Sequence, residues 1–372
     1  MITPCIHATC PDVRQRPSLD GLKILSFCRY QRLTLNRSTR MRLPCSHLLT
    51  PSIPQHESLD LPSFSFLIEH SGSQRKFLFD LGLRNDFSSH PPAVQNFLAE
   101  SGWDLRVTKD IPDILKDGDI LPNDIDAVIF SHHHFDHLGD LTQFPVTSRV
   151  VVGPGFKDAY LPGWPVNPES SLIDEEWKSH EIHEVCFDSG NKSISIGGFP
   201  AIDYFGDGSF FLLDSPGHTI GHLAALARVT LGSSSFDEHH RDKFVFMGGD
   251  ICHYPGVLRP TERLPLDFKA QAALHTCPES FFLDIHPEKS CAKPYYKMPA
   301  HCTVDKEAAD STIEKLCAFD SSEDVLVIIG HDSSLIGNIA VFPNAINEWN
   351  QEMKNTRQWA FLRDFRTQPI GS

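Results

Sequence analysis

Short apolar runs that stop at Gly, Asp or His recur along most of the chain. Phe64–His70, a Ser71-Gly72-Ser73 turn and Lys76–Gly82 read as a β-hairpin. Ala127–Phe130 is a short, fully apolar strand that runs straight into a histidine-rich turn. Arg149–Val152, Ser209–Leu213, Leu223–Leu231, Phe244–Met247 and Val325–Ile329 repeat the same grammar. Between them, residues 93–101 predict a short helix. Residues 305–318 carry Ala308, Ile313, Leu316 and Cys317 at helical spacing, and a last helix is expected over Asn344–Asn355. Strands interleaved with helices over this length predict a layered α/β protein. Residues 46–62, with three prolines, read as a linker or loop. Two strand-poor stretches, 154–192 and 252–301, are rich in Pro, Gly and aromatic residues and read as long functional loops.

Charge and composition narrow the setting. With 372 residues and 40% hydrophobic content the chain can bury a large core. No apolar run approaches the roughly 20 residues of a membrane helix. The first residues lack the basic and apolar pattern of a secretory signal. Ten cysteines without paired spacing fit reduced thiols, so a cytoplasmic setting is expected. The net charge is −15, but residues 1–45 hold eight basic and two acidic side chains, leaving −21 on the remainder. This basic start is expected to be a loosely ordered extension, with an organelle-targeting segment as the alternative. Residues 46–372 would then form the functional domain. An acidic body argues against a partner that presents phosphate, so no nucleic acid is expected.

The chemistry concentrates at strand ends. His132-His133-His134-Phe135-Asp136-His137 follows the Ala127–Phe130 strand and places several metal-competent groups on one turn. Ser215-Pro216-Gly217-His218, Gly248-Gly249-Asp250 and Gly330-His331-Asp332 each put a candidate donor after another apolar strand. A chance cluster accounts for the first run alone; it does not account for four strand ends. Cys5, His7 and Cys10 lack a second half of any metal motif and read as chance.

These motifs, with Phe77-Leu78-Phe79-Asp80 before them, resemble the metallo-β-lactamase-fold hydrolases over residues 60–340. Within that family the likeness is greatest to N-acyl homoserine lactonase-like enzymes and similar fungal lactone and lactam hydrolases. The resemblance implies a four-layer αββα sandwich with two metal ions, most simply zinc, although iron and manganese suit the same donors. His132, His134 and His218 would hold one ion, Asp136, His137 and His331 the other, and Asp250 would bridge them. Two ions about 3.5–4 Å apart would share a water of lowered pKa that attacks a carbonyl carbon, with Asp250 relaying the proton to the leaving atom. The redox members carry Glu where His134 stands, and true β-lactamases typically lack the bridging Asp. Both branches are therefore disfavoured.

The expected activity is ring opening of a small lactone or lactam, in detoxification or processing of a secondary metabolite, by a monomer or homodimer. A glyoxalase II-like thioesterase is the alternative, and a phosphodiesterase or nuclease a more distant one. The lactonase branch often has a substrate-polarising Tyr three residues after the bridging Asp. Here His253 holds that offset, and Tyr254, one further, is the expected catalytic partner. Asp80 is expected to support a ligand histidine, and His133 to face away from the ions. Phe156, Tyr160, Trp164 and Trp177, with Tyr254, Phe281, Phe282, Tyr295 and Tyr296, either wall an apolar cavity or anchor the loops.

Overall fold

The computed structural model describes residues 22–27, 40–188, 193–230, 241–275, 277–278 and 280–365. Among them are fifteen strands. The first six are β1 (Leu22–Phe27), β2 (Arg40–Pro44), β3 (Ser58–Leu61), β4 (Ser65–His70), β5 (Arg75–Phe79) and β6 (Asp104–Arg106). Next come β7 (Ala127–Ile129), β8 (Arg149–Val152), β9 (Ile182–Glu184), β10 (Ile194–Ile196) and β11 (Phe199–Asp203). The last four are β12 (Phe210–Asp214), β13 (Leu223–Thr230), β14 (Lys243–Met247) and β15 (Val325–Ile328).

Two six-stranded sheets carry the fold. One runs β1-β4-β5-β7-β8-β9, and the other runs β10 to β15 in sequence order. In the first, β5, β7, β8 and β9 are parallel. In the second, successive antiparallel pairings leave β12 and β14 pointing the same way, and β15 is parallel to β14. A three-stranded sheet, β3-β2-β6, covers one side.

Side-chain alternation decides which layer each strand residue joins. Phe66, Ile68, Phe77, Phe79 and Ile129 of the first sheet meet Phe210, Leu212, Ala225, Val245 and Ile328 of the second. Their neighbours Leu67, Leu78, Val128 and Val150 face outward and are covered by Ile111 and Leu115 of the helix Ile111–Asp117, with Phe156 and Trp177. On the far side Phe211, Phe246 and Val327 pack under Ile313 and Leu316 of the helix Lys306–Asp320 and under Phe361 and Phe365. The order is helix, sheet, sheet, helix, as the family resemblance implies. No helix of the described residues is long and apolar enough to cross a membrane.

Ordered structure begins earlier than residue 46. β1 pairs with β4, and β2 pairs with both β3 and β6. Met41, Leu43 and Cys45 are buried while Arg42 and Pro44 are exposed, so the basic side chains had masked a two-residue period. The proline-rich stretch 46–62 is likewise not a free linker, because Leu48, Leu49, Ile53, Leu59 and Leu61 enter the core. The last helix spans Gln351–Gln358, later than expected, because the Asn350 side chain caps it and the preceding turns bury Ile346 and Trp349.

One buried ion pair ties the outer layer to the C-terminal segment. Arg259 donates from Nε and Nη2 to the two oxygens of Asp320, each at 2.7 Å, and from Nη1 to the Gln358 carbonyl at 2.9 Å. Asp320→Asn would leave a buried guanidinium without its counter-charge. It is expected to lower the unfolding free energy by about 3–5 kcal/mol, read as an earlier midpoint in urea.

Candidate metal centre

Every sequence-predicted donor comes from the same edge of the sandwich. β7 leads into the Ser131–His137 turn, β12 into Ser215–His222, β14 into Asp250 and β15 into His331. These strands are parallel within their sheets, so their C-terminal ends open together. The turns are stitched across the edge by Leu223 N–H to the Ser131 carbonyl at 2.8 Å and Gly330 N–H to the Gly249 carbonyl at 2.7 Å. Glycine is required at two of these points. Gly249 has φ +49°, and a Cβ at Gly330 would lie 2.6 Å from Asp250 Oδ1.

Two donor groups result: His132, His134, His218 and Asp250, and beside them Asp136, His137 and His331. Within each group the ligand atoms lie within 4.8 Å of one another. Asp250 stands between them. Its Oδ2 is 3.7 Å from His132 Nε2 and 3.6 Å from His218 Nε2, while its Oδ1 is 3.2 Å from both His137 Nε2 and His331 Nε2. His331 Nε2 is also 3.3 Å from Asp136 Oδ2. In the first group, His134 offers Nδ1, 3.1 Å from His218 Nε2.

The outward nitrogens explain why the inward ones are free. His137 Nδ1 is 2.9 Å from Asp80 Oδ2, His218 Nδ1 is 2.9 Å from the Cys302 carbonyl, and His331 Nδ1 is 2.7 Å from the Pro62 carbonyl. His132 Nδ1 lies 3.0 Å from Ser131 Oγ, whose own proton goes to Asp80 Oδ2 at 2.7 Å. Each ring therefore directs Nδ1 at a partner outside and turns Nε2 inward. The His132 Nε2 and Asp250 Oδ1 atoms are buried without a hydrogen-bond partner. Buried donors of that kind, all nitrogen or carboxylate oxygen, fit divalent cations such as zinc. His222 holds the backbone rather than an ion: its Nε2 accepts from the Asp250 N–H at 3.0 Å, and Ser215 Oγ is 2.8 Å from its Nδ1.

Electrostatics separate the two groups. Burial drives His132 and His218 well below the ordinary imidazole pKa, reinforced by neighbouring rings, and drives His134 to about 4. Burial opposes protonation of His137 as well, but Asp250, Asp80 and Asp136 outweigh it and raise the group well above the usual value. For Asp250, burial would favour the acid, yet His331, His137 and His253 outweigh it and hold the carboxyl well below its usual range. One half is a set of neutral imidazoles and the other a carboxylate-rich nest that attracts positive charge.

A cavity of about 870 Å³ opens directly above. His134, His218, Asp136, Asp250 and His331 form its floor, and Met41, Leu43, Val94, Phe97, Trp103 and Ile220 give it apolar walls. Trp103 is fixed by donating Nε1–H to His47 Nδ1 at 2.9 Å. His133 also borders the cavity, stacked on Tyr160 with ring centroids 3.8 Å apart.

The expected role of Tyr254 is overturned. The side chain is fully buried, and its hydroxyl donates toward the Phe361 carbonyl at 3.3 Å and Asp364 Oδ2 at 3.2 Å, within a cluster with His56 and Tyr296. The next-door His253 borders the cavity instead, with Nε2 3.3 Å from Asp250 Oδ2. Of the nine aromatics that either wall the cavity or anchor the loops, Tyr160 alone lines the cavity. Phe156 and Trp177 pack under the first sheet, and Phe282, Tyr295 and Tyr296 fill the opposite core. Cys252 is buried, and burial pushes its thiol well up. Asp332 caps the turn that follows by accepting from Ser334 N–H at 3.0 Å. Cys5, His7 and Cys10 lie outside the described residues.

Comparison with known proteins gives a consistent answer. Residues 59–226 match the metallo-beta-lactamase superfamily. The chain is 36% identical to gamma-lactamase FDB1 of Fusarium pseudograminearum over 335 residues, 87% of this chain and 79% of that one. It is 37% identical to the metallo-hydrolase mfmC of Annulohypoxylon moriforme, covering 89% of this chain and 86% of the other. Among solved structures, a B. thuringiensis enzyme with N-decanoyl-L-homoserine bound at its active site aligns with a TM-score of 0.54. Identity there is 18%, over 89% of this chain and all of that one.

Asp80 holds Ser131 and His137 but touches neither donor group's inward atoms. Asp80→Asn is therefore expected to leave the fold intact and weaken divalent-cation binding by roughly 10–100-fold, measured by competition with a chromogenic chelator.

Proposed function

The chain belongs to the metallo-β-lactamase superfamily, and within that family we propose that it is a di-zinc hydrolase that opens the ring of a small lactam or lactone. The observation that carries this reading is the placing of Asp250. Its Oδ2 faces His132 and His218, its Oδ1 faces His137, and His331 Nε2 lies 3.2 Å from both oxygens. Under this reading His132, His134 and His218 hold one cation, Asp136, His137 and His331 the second, and Asp250 both. A pair of divalent cations so held supplies Lewis acidity for a carbonyl and water activated near neutral pH. The chain's own residues supply the rest. Asp250 takes up the proton released in the attack and returns it to the leaving nitrogen or oxygen. Asp80 fixes the rings that must stay neutral at Nε2.

The ring substrate is supported by a gamma-lactamase relative at 36% identity and by the cavity itself. Its apolar walls and volume of about 870 Å³ suit a small, partly apolar molecule, whereas a charged polymer would meet an acidic protein. No Cys nucleophile competes at the floor: burial pushes the Cys302 thiol up to about 11, so it stays protonated.

Two measurements test the proposal together. Plasma mass spectrometry is expected to find about two zinc ions per chain, with one or both lost in Asp250→Asn. A panel of lactams, lactones and thioesters is expected to show ring opening, reduced by at least roughly 10²–10³-fold in that variant. Tyr254→Phe should stay within roughly threefold of the parent. Substoichiometric metal that added zinc does not raise, or equal turnover by parent and Asp250→Asn, would refute the reading. Thioester cleavage alone would replace the substrate class.

A further inference from the structure

Four of the five histidines in the two donor groups are held from behind. His132, His137, His218 and His331 each bring the nitrogen that faces away from the groups within hydrogen-bond distance of a partner. His134 is the exception. Its Nδ1 faces His218 Nε2, and among the described residues its side chain has no hydrogen-bond partner outside the donor groups. A ring without such a partner is oriented by packing alone. Its ring neighbours are His132 and His218, which are donors themselves, and His133, with centroids 4.7 Å apart.

His133 is in turn laid flat on Tyr160, with centroids 3.8 Å apart and planes 14° from parallel. Tyr160 ends the helix Phe156–Tyr160 and is itself anchored. Its ring packs on buried Phe156 at 5.0 Å, and its carbonyl accepts from Ser170 Oγ at 3.3 Å. The Tyr160 hydroxyl accepts from the Ile220 N–H at 3.1 Å and donates toward the Ile220 carbonyl at 3.4 Å. Ile220 stands two residues after His218. Glycines let the two loops come this close: a Cβ at Gly153 would lie 2.0 Å from the Gly221 carbonyl oxygen, and one at Gly155 3.1 Å from Ile220 Cγ2. Tyr160 thus touches both turns that supply the first donor group, one through its ring and the other through its hydroxyl.

We propose that Tyr160 is the positioning residue for His134, a splint between the Ser131–His137 turn and the Ser215–His222 turn that sets the cation affinity of the first donor group. This rests on the reading of His132, His134, His218 and Asp250 as a cation site. The other donor histidines are oriented by hydrogen bonds, and a partner of that kind tunes metal affinity by limiting ring motion. For His134 the same restraint is supplied by a stack of flat rings. The second group, Asp136, His137 and His331, has its own outside partners and does not depend on the splint.

The test titrates zinc back into chelator-treated full-length protein against a chromogenic competitor, in two backgrounds. His331→Ala breaks the second donor group and leaves the first, and His218→Ala does the reverse. In the His331→Ala background, Tyr160→Leu is expected to weaken zinc binding by roughly 10–100-fold. Tyr160→Phe keeps the stack and loses the bond to Ile220, so roughly three- to tenfold is expected. In the His218→Ala background neither substitution should change affinity by more than roughly twofold. Because the ring acts through its neighbour, Tyr160→Leu added to His133→Leu should cost no more than Tyr160→Phe does alone. Undiminished affinity for both Tyr160 variants in the His331→Ala background would overturn the proposal. Equal weakening in the two backgrounds would also overturn it, making Tyr160 a general support of the fold. A parent that takes up no zinc would remove the cation-site reading, and the proposal with it.

Discussion

Everything at this centre depends on turning the buried imidazoles with one nitrogen inward and the other held by a partner outside. A buried ring has two chemically equal choices for its proton, and only an acceptor on the far side removes the wrong one. Asp80 does this twice. It accepts directly from His137 Nδ1, and through Ser131 Oγ it sets His132. It also accepts the Ser131 N–H at 2.7 Å, which fixes the start of the turn that carries these rings. Asp80 itself adopts φ +61°, a left-handed conformation that Asp tolerates better than most residues. One carboxylate at the end of β5 therefore governs the tautomer of one ring in each donor group.

The sandwich supplies what a single carboxylate cannot. Backbone carbonyls of Cys302 and Pro62 orient His218 and His331, and those carbonyls come from segments far from the rings in sequence. They are in place because the two sheets meet face to face and the strand ends of both open on one edge. The Phe64 N–H bonds to the Gly330 carbonyl at 3.0 Å, which draws the segment before β4 over the end of β15. Close packing between sheets thus becomes angular precision at the floor of the cavity.

The clustered histidines and carboxylates were legible because their signal is local: an apolar strand, a small residue, then a side chain with a lone pair. His132, His218, Asp250 and His331 follow that rule, and the fold brings them together with His134, Asp136 and His137 from the same turn as His132. Asp80 was legible for the same reason. What failed was every inference that needed the path of the chain after the strand ended. Counting onward from Asp250 suggested Tyr254, but the segment turns through Pro255–Val257. Cys252 and Tyr254 go into the core and His253 faces the cavity. The aromatic residues of the two long stretches were similarly ambiguous, since a large ring on a loop gains as much by packing under a sheet as by walling a cavity. β2 and β3 were obscured by arginines and prolines, although Met41, Leu43, Leu59 and Leu61 already alternate.

That difference in legibility follows the division of labour in the molecule. The floor is built by strand ends, where a one-residue error would turn a donor to the wrong face, so the pattern must be strict. The walls come from elsewhere. Met41 and Leu43 belong to β2 in the small third sheet, and Val94 and Phe97 to the helix Pro92–Ser101. Phe97 is 47% exposed and packs against Trp103 with centroids 5.3 Å apart. Phe97 also lies against Phe135, the residue between His134 and Asp136, with centroids 6.3 Å apart, so the wall touches the donor turn at that one ring and is otherwise built apart from it. The chemistry of the floor is consequently set by the sandwich, while the shape of the molecule admitted to it is set by the third sheet and that helix.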